Sequence, residues 1–251
     1  MDHAIYTALG AANASLNRQA VTANNLANVS TSGFRAQVAA FRAVAVEGDS
    51  IPTRTLVTAS TPYNDYSVGT INTTGRSLDV ALPQDGWLAV QMSDGREAYT
   101  RNGNIEIDSE GALTVRGLPL LGDGGPIAAP PQAQLTIAPD GSITALGAGD
   151  EPSALALVGK IKIVNAGPYT LQNGDDGLFH VTASAAAERG ETLPADLQMK
   201  LTPGALESSN VSPVKSMVEM IANARGFDMN MKIISAVDDN EKKSNQLLNL
   251  G

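Results

Sequence analysis

Residues 213–237 read PVKSMVEMIANARGFDMNMKIISAV, and the apolar side chains in this stretch are spaced for a helix. Two rows of residues can be followed at heptad spacing. The first row holds Met217, Ala224 and Met231, and the second holds Met220, Phe227, Ile234 and Leu248. Ser212 followed by Pro213 is a typical helix start, with the serine as N-cap and the proline at the first helical position. The pattern predicts a helix over residues 214–250 that is about 55 Å long.

The apolar surface of this predicted helix is wider than one neighbour can cover. With Val214, Val218 and Ile221 included, it spans an arc of about 200°, against about 100° for an ordinary surface helix. Gly226 in its middle costs about 1 kcal/mol in helix propensity. We therefore expect several partner helices, some of them from other chains.

The opposite end of the chain, residues 5–28, shows the same periodicity. Ile5, Ala12 and Leu26 form one row, with Gln19 in its gap, and Leu9, Leu16 and Ala23 form the companion row. Small alanines allow a close helix approach, and Gly33 suits a left-handed C-terminal cap. These features predict a helix that carries the a/d rows of a coiled coil.

A row of asparagines flanks the apolar row of the N-terminal helix. It consists of Asn13, Asn17, Asn24 and Asn28. At 100° per residue these four fall within about 60° of each other. The row favours a second, polar contact surface over an ordinary helix on a core.

The middle of the chain predicts a mostly antiparallel β-domain at residues 78–206. Short strand-like runs alternate with turn signals such as Asp94-Gly95, Asn102-Gly103 and Asp140-Gly141. Their spacing of roughly 8–12 residues indicates a sandwich or a barrel. The fold class is therefore α+β, with helical ends at residues 1–35 and 207–251, and an extended connecting segment or hairpin at 36–77.

Composition excludes several classes of protein. The net charge of −9 argues against nucleic acid as a partner. Residues 1–45 carry three basic side chains and one acidic side chain, and residues 207–251 carry five basic and six acidic side chains. The middle of the chain therefore carries a net charge of about −10.

There is no cysteine and no run of about 20 apolar residues that would insert in a membrane. The N-terminus lacks the pattern of a cleavable secretory signal.

Catalytic and ligand-binding patterns are also missing. His3 and His180, the two histidines, stand in no metal or nucleophile motif. The carboxylate pairs Asp79 with Asp85 and Asp175 with Asp176 fit turns and strand edges better than acid–base chemistry. We predict that the chain is not an enzyme and takes no cofactor, metal ion or small-molecule ligand.

Motifs along nearly the whole chain resemble those of bacterial flagellar rod and hook proteins. They are ANNLANVSTSGFR at 23–35, LDVAL at 78–82, DGWLAV at 85–90, YTRNGN at 99–104, GAL at 111–113, LESSNV at 206–211 and MIANARGF at 220–227. The opening MDHAIYTA resembles the proximal members of the flagellar basal-body rod family more than distal rod or hook members.

The resemblance implies a structural subunit of the flagellar rod in the periplasm. Its partners would be other rod subunits and the flagellar type III export apparatus, which takes unfolded chains without a cleavable signal. Its terminal helices, in residues 1–35 and 207–251, would pair as a coiled-coil inner domain and stack with those of neighbours. Because helices without tertiary partners are marginal, we expect these ends to order on assembly. The predicted subunit-contact residues are Ile5, Leu9, Leu16, Asn24, Leu26, Asn28, Met217, Met220, Ile221, Ala224, Phe227, Met231 and Ile234.

Three alternatives remain open at this point. The chain could be a distal rod or hook-type axial component. It could also be an exported β-domain enzyme or a β-domain binding module, although neither explains heptads at both ends.

Overall fold

The structure, a computed structural model, describes residues 3–45, 55–147 and 155–248. Residues 249–250 of the predicted C-terminal helix lie outside the described residues, as do parts of the segments predicted at 36–77 and 78–206. The side chains of His3 and Leu248 lie outside them too. The chain divides into unit 1, residues 1–28, 36–65 and 211–251, and unit 2, residues 29–35 and 66–210.

Three helices are described, α1 at His3–Ala27, α2 at Ala183–Arg189 and α3 at Pro213–Leu248. The 36 residues of α3 correspond to about 54 Å. Ser212 Oγ accepts a hydrogen bond from Lys215 N at 3.4 Å, and Pro213 is the first helical residue. The predicted N-cap is therefore confirmed. The predicted α+β class, with terminal helices around antiparallel strands, is confirmed as well.

Unit 1 consists of α1, α3 and a hairpin of β1, Gln37–Ala45, and β2, Thr55–Asn64. The two strands pair antiparallel, with Val44 opposite Leu56. Helix α1 packs against α3 and against both strands of the hairpin. Residues 36–65 thus belong with the helices, whereas residues 29–35 cluster with the β-domain.

Unit 2 contains the remaining strands, all in antiparallel pairs among the residues described. They are β3 Ile71–Thr73, β4 Val80–Ala81, β5 Gly86–Gln91, β6 Glu97–Thr100, β7 Ile105–Ile107, β8 Leu113–Val115, β9 Leu118–Pro119, β10 Leu121–Gly122, β11 Gly125–Pro126, β12 Gln134–Ile137, β13 Ser142–Leu146, β14 Ala156–Lys160, β15 Ile163–Asn165, β16 Leu171–Asn173, β17 Phe179–Val181, β18 Thr202–Pro203 and β19 Ala205–Glu207. The largest sheet has five strands in the order β15-β5-β6-β17-β16. In place of the predicted sandwich or barrel, the pairing forms this sheet and several of two or three strands.

Strand β5 is buried on both faces, which makes it the centre of unit 2. Because side chains alternate along a strand, Leu88 and Val90 enter one apolar cluster while Trp87 and Ala89 enter another. The Trp87 ring lies 4.5 Å from that of Phe179, and its Nε1 donates to Ala166 O at 3.2 Å. Unit 2 therefore has a core of its own.

Most predicted turns are confirmed, but Asn102-Gly103 is not a hairpin turn. Gly95, Gly111 and Gly141 have positive φ and join paired strands. By contrast, β6 pairs with β5 and β17, and β7 pairs with β8, so the chain changes sheets between them. Gly103 is needed for another reason, because a Cβ there would overlap the Val80 carbonyl.

Candidate functional site

Helices α1 and α3 lie side by side, and the shielded residues on each follow a heptad pattern. On α3 the shielded positions at heptad spacing include Ser216, Met220, Asn223, Phe227, Asn230, Ile234 and Val237. On α1 the shielded positions at heptad spacing are Ile5, Ala8, Ala12, Ser15, Gln19, Thr22 and Leu26, and other shielded residues such as Ala14 lie outside these rows. These rows mark the faces that the two helices turn toward each other.

The paired face of α1 is made of small and polar residues. Ser15 and Thr22 satisfy their hydroxyls on backbone carbonyls one turn back, at 3.0 and 2.8 Å. Gln19 Oε1 is buried and has no hydrogen-bond partner among the described residues. A buried acceptor without a partner costs free energy, so this face holds the helices less strongly than an apolar one would.

The companion row predicted on α1 is wrong by one residue. Leu9 and Leu16 are 46% and 49% exposed, and Ala8, Ser15 and Thr22 take the expected positions. The physical reason is close packing. A Cβ added to Gly226 of α3 would lie 3.5 Å from Ser15 Oγ, a distance that leaves no room for leucine side chains between the helices.

The predicted contact residues of α3 divide between two faces. Met220, Phe227 and Ile234 are partly shielded on the paired face. Met217, Ile221, Ala224 and Met231 are exposed. The predicted 200° arc is therefore covered by α1 on one side only.

The exposed part of the arc forms a patch over the first turns of α3, which we call the outer face of α3. It consists of Val214, Met217, Val218 and Ile221, each more than half exposed. These four lie within about 100° of one another and about 150° from the paired face, by the rotation of 100° per residue. Helix α1 cannot reach them.

Helix α1 also has a face that neither α3 nor the hairpin covers, which we call the open face of α1. The hairpin side of α1 is marked by Arg18, whose guanidinium carbon lies 4.5 Å from the Phe41 ring centre. The open face carries the exposed residues Leu9, Asn13, Leu16, Asn17 and Asn24. It combines aliphatic side chains with amide donors and acceptors.

Two asparagines of the ANNLAN motif act inside unit 1. Asn25 Nδ2 donates to Gln37 O, and Gln37 N donates to Asn25 Oδ1, both at 2.8 Å. Asn28 Nδ2 donates to Asn24 O at 3.0 Å, and Asn28 is partly shielded. Asn25 pins the end of α1 to the start of β1. Only the spacing of the asparagines was visible in sequence, so this role was missed.

A second feature missed by sequence reasoning is a buried charge cluster in unit 2, formed by Arg35, Arg101 and Glu207. Each is at most 2% exposed. Glu207 Oε1 lies 2.6 Å from Arg35 Nη1, and its Oε2 lies 2.5 Å from Arg101 Nη2. Each residue belongs to one of the motifs that carry the family resemblance, which is the signal that could have grouped them.

The remaining surface of unit 2 offers little for catalysis. An open cleft of about 940 Å³ is lined by residues that include Arg189 and Asp196. The backbone N–H of Gln198 and the Asn165 amide hold the pKa of Asp196 below its usual value, so this carboxyl stays ionised. Within residues 3–45, 55–147 and 155–248, no three His, Asp or Glu side chains gather to hold a metal ion.

None of the described helices combines the length and the hydropathy needed to cross a bilayer.

Three sequence families match this chain. Residues 5–35 match “Flagella basal body rod protein”, residues 81–145 match “Flagellar hook protein FlgE/F/G D1 domain”, and residues 202–247 match “Flagellar basal body rod FlgEFG protein C-terminal”. None of these descriptions names an enzyme.

Individual relatives match most or all of the chain. The flagellar basal-body rod protein FlgF of Salmonella typhimurium is 58% identical and that of Escherichia coli 57%, each over 100% of both chains. The flagellar basal-body rod protein FlgG of Bacillus subtilis is 32% identical, over 87% of this chain and 89% of its own.

Proposed function

The chain belongs to the flagellar basal-body rod protein family, and we propose that it is a proximal-rod subunit that polymerises through its terminal helices. Its partners are further copies and related axial subunits, which together form a helical tube spanning the periplasm. The protein acts mechanically and not as a catalyst.

The observation that carries this proposal is the pair of uncovered faces on unit 1. A contact that repeats head to tail needs two different patches, one for the neighbour on each side. The outer face of α3 is aliphatic, and the open face of α1 alternates aliphatic and amide groups. Two unlike faces support an open helical assembly better than a closed two-fold dimer.

The energetics favour assembly without preventing the chain from unfolding. Each Val, Met or Ile that becomes buried contributes about 1.5–3 kcal/mol. Ordering the helices costs about 1–2 kcal/mol per residue in backbone conformational entropy. Contacts across the paired face, which is polar on the α1 side, offset only part of that cost. We therefore expect α1 and α3 to pair as a coiled coil whose order depends on neighbouring subunits.

This balance also suits the export route we propose. A chain that passes the flagellar type III apparatus must be unfolded on the way and must fold at the growing tip. Terminal helices with weak mutual contacts and no cysteine unfold reversibly at low cost.

The decisive experiment uses the absence of native cysteine. A single cysteine is introduced as Ile221→Cys, and its reactivity with a maleimide is compared in the free subunit and in isolated basal bodies. The exposed position should react readily in the free subunit. In the assembled rod it should be slowed at least about tenfold, because burial excludes the reagent.

Asp175→Cys in an exposed loop of unit 2 is the matched control and should react alike in both states. Equal reactivity of Ile221→Cys before and after assembly would show that the outer face of α3 is not a subunit contact.

A distal rod or hook-type role is the second candidate, because one matched family also includes the hook protein. The full-length match to proteins named FlgF favours the proximal position. Gold labelling of an epitope-tagged subunit in isolated basal bodies would separate the two.

A further inference from the structure

The charge cluster connects three segments that are far apart in sequence. Arg35 comes from the N-terminal segment of unit 2, residues 29–35, and Glu207 comes from its C-terminal segment, residues 205–210. Arg101 follows β6 in the centre of the fold. We infer that Glu207 is a positioning residue that makes the docking of the two segments mutually dependent.

The first step is electrostatic. Two guanidinium groups share one carboxylate, so the buried cluster carries a net positive charge. Arg101 has further acceptors, because its Nη1 donates to the carbonyls of Pro83, Gln84 and Gly86 at 2.6–2.9 Å. With Glu207 withdrawn, Arg35 would have to enter a buried site beside the guanidinium of Arg101 with no carboxylate between them, which is strongly unfavourable.

Backbone hydrogen bonds also join the two segments directly. Gly33 N donates to Glu207 O at 2.8 Å, and Asn210 N donates to Phe34 O at 3.3 Å. Each segment thus supplies backbone partners to the other. Gly33 also packs directly on Arg101, because a Cβ at position 33 would overlap the Arg101 carbonyl.

The C-terminal segment is held by contacts of Glu207 and by strand pairing. Glu207 Oε1 accepts from Gly69 N at 2.9 Å as well as from Arg35, and β19 pairs with β3. Removing the N-terminal segment would take the Arg35 guanidinium from this oxygen and leave it the Gly69 N–H. Each segment therefore stabilises the docked state of the other.

Hydrogen exchange measured by mass spectrometry on the full chain tests this dependence. In Arg35→Met the amides of residues 29–35 should lose protection on the order of 100-fold, as expected for breaking a buried ion pair. Residues 205–210 should lose protection by a similar factor although they carry no substitution. Loss confined to residues 29–35 would overturn the inference.

Two further variants separate this role from simple loss of packing. Arg35→Lys keeps the charge and should restore at least half of the lost protection, on a logarithmic scale, in both segments together. Glu207→Gln should loosen both segments at once. If that variant fails to fold, the comparison of the two Arg35 variants still decides the question.

Arg96→Met is the matched control, because Arg96 forms an exposed ion pair with Asp94 outside the cluster. It should leave both segments as protected as in the unsubstituted chain. The dependence is a property of the isolated chain and holds whether or not the subunit assembles.

Discussion

The two units of this protein solve the problem of burying apolar surface in different ways. Unit 2 encloses β5 on both faces and buries most of its large apolar side chains in two clusters. In unit 1 the buried part of the α1 face is small and polar, and aliphatic side chains of both helices lie in solvent. Unit 2 therefore has a closed apolar core, whereas unit 1 leaves the two faces that we propose as subunit contacts uncovered.

Charge follows the same division. Unit 2 carries nine basic and 17 acidic residues, a net −8, and unit 1 carries eight and nine, a net −1. A strongly acidic domain stays solvated, while a nearly neutral one approaches copies of itself without large repulsion. The proposed contact surface and the strongly acidic surface thus belong to different units.

The largest effect on stability is expected in the core of unit 2. Leu88→Ala should lower its free energy of unfolding by about 2–5 kcal/mol, because it leaves a cavity in a closed core. Trp87, the only tryptophan, lies beside it and reports unfolding by fluorescence. Ile221→Ala on unit 1 should leave the Trp87 transition unchanged, and a shared shift would show that the units do not differ as described.

An assembly effect of comparable size is expected on unit 1. Ile221→Asp should weaken incorporation into rods at least about tenfold, because it replaces about 1.5–3 kcal/mol of burial by a charge that must be desolvated. Leu16→Asp should act in the same way on the open face of α1. The amount of variant protein in isolated basal bodies, measured by immunoblot, checks both.

The control for these variants places the same carboxylate elsewhere on α3. Asn240→Asp is exposed and lies about 90° from the outer face, so it should assemble normally. Normal incorporation of Ile221→Asp and Leu16→Asp would remove both faces from the interface.

A smaller, stabilising effect is expected at Gly226. Gly226→Ala should stabilise α3 by about 0.5–1 kcal/mol, since alanine has the higher helix propensity. Its Cβ would meet Ser15 Oγ at 3.5 Å, an ordinary contact. Thermal unfolding followed by circular dichroism at 222 nm measures the gain. A loss of helicity would mean that the two helices lie too close for even a methyl group.

The smallest expected effect is a loss of the folding stability of unit 2 at high pH. Burial raises the pKa of the Tyr99 hydroxyl well above its usual value, with the neighbouring Glu97 carboxylate contributing. The stability from neutral Tyr99 is therefore complete below about pH 10 and declines as pH rises above it. Urea titrations at several pH values follow this loss.

Tyr99→Phe isolates that contribution. The variant loses the hydrogen bond from Leu193 N, worth about 1 kcal/mol, but cannot ionise. The advantage of the unsubstituted chain over Tyr99→Phe should shrink between pH 10 and 11. If the advantage in stability stayed constant over this pH range, Tyr99 would ionise equally easily in the folded and the unfolded chain, as a solvent-exposed tyrosine does.

Periodicity alone predicted much of this architecture. The helix start at Pro213, the strands of unit 2 and the left-handed glycines follow from local spacing and backbone preference, so they could be located without tertiary information. The apolar residues of α3 that we predict to be contacts could also be located from their spacing. The sequence did not show that they divide between the paired face and the outer face of α3.

The errors arose where two separate segments compete for the same space. Leu9 and Leu16 look like core residues by composition, yet the close approach of Ser15 and Gly226 excludes them. Asn102-Gly103 has the composition of a hairpin turn, but its neighbouring strands join different sheets. Such outcomes depend on distances between parts of the chain that no local pattern encodes.

The amino-acid sequence by itself determined the fold class of this protein, with helices at both ends and strands between them. These properties depend on periodicity, turn chemistry and composition, which are local. Only the tertiary structure decided which helix faces remain uncovered and that Arg35, Arg101 and Glu207 meet. Burial and ion pairing join residues that are more than 100 positions apart, so they exist only once the chain has folded.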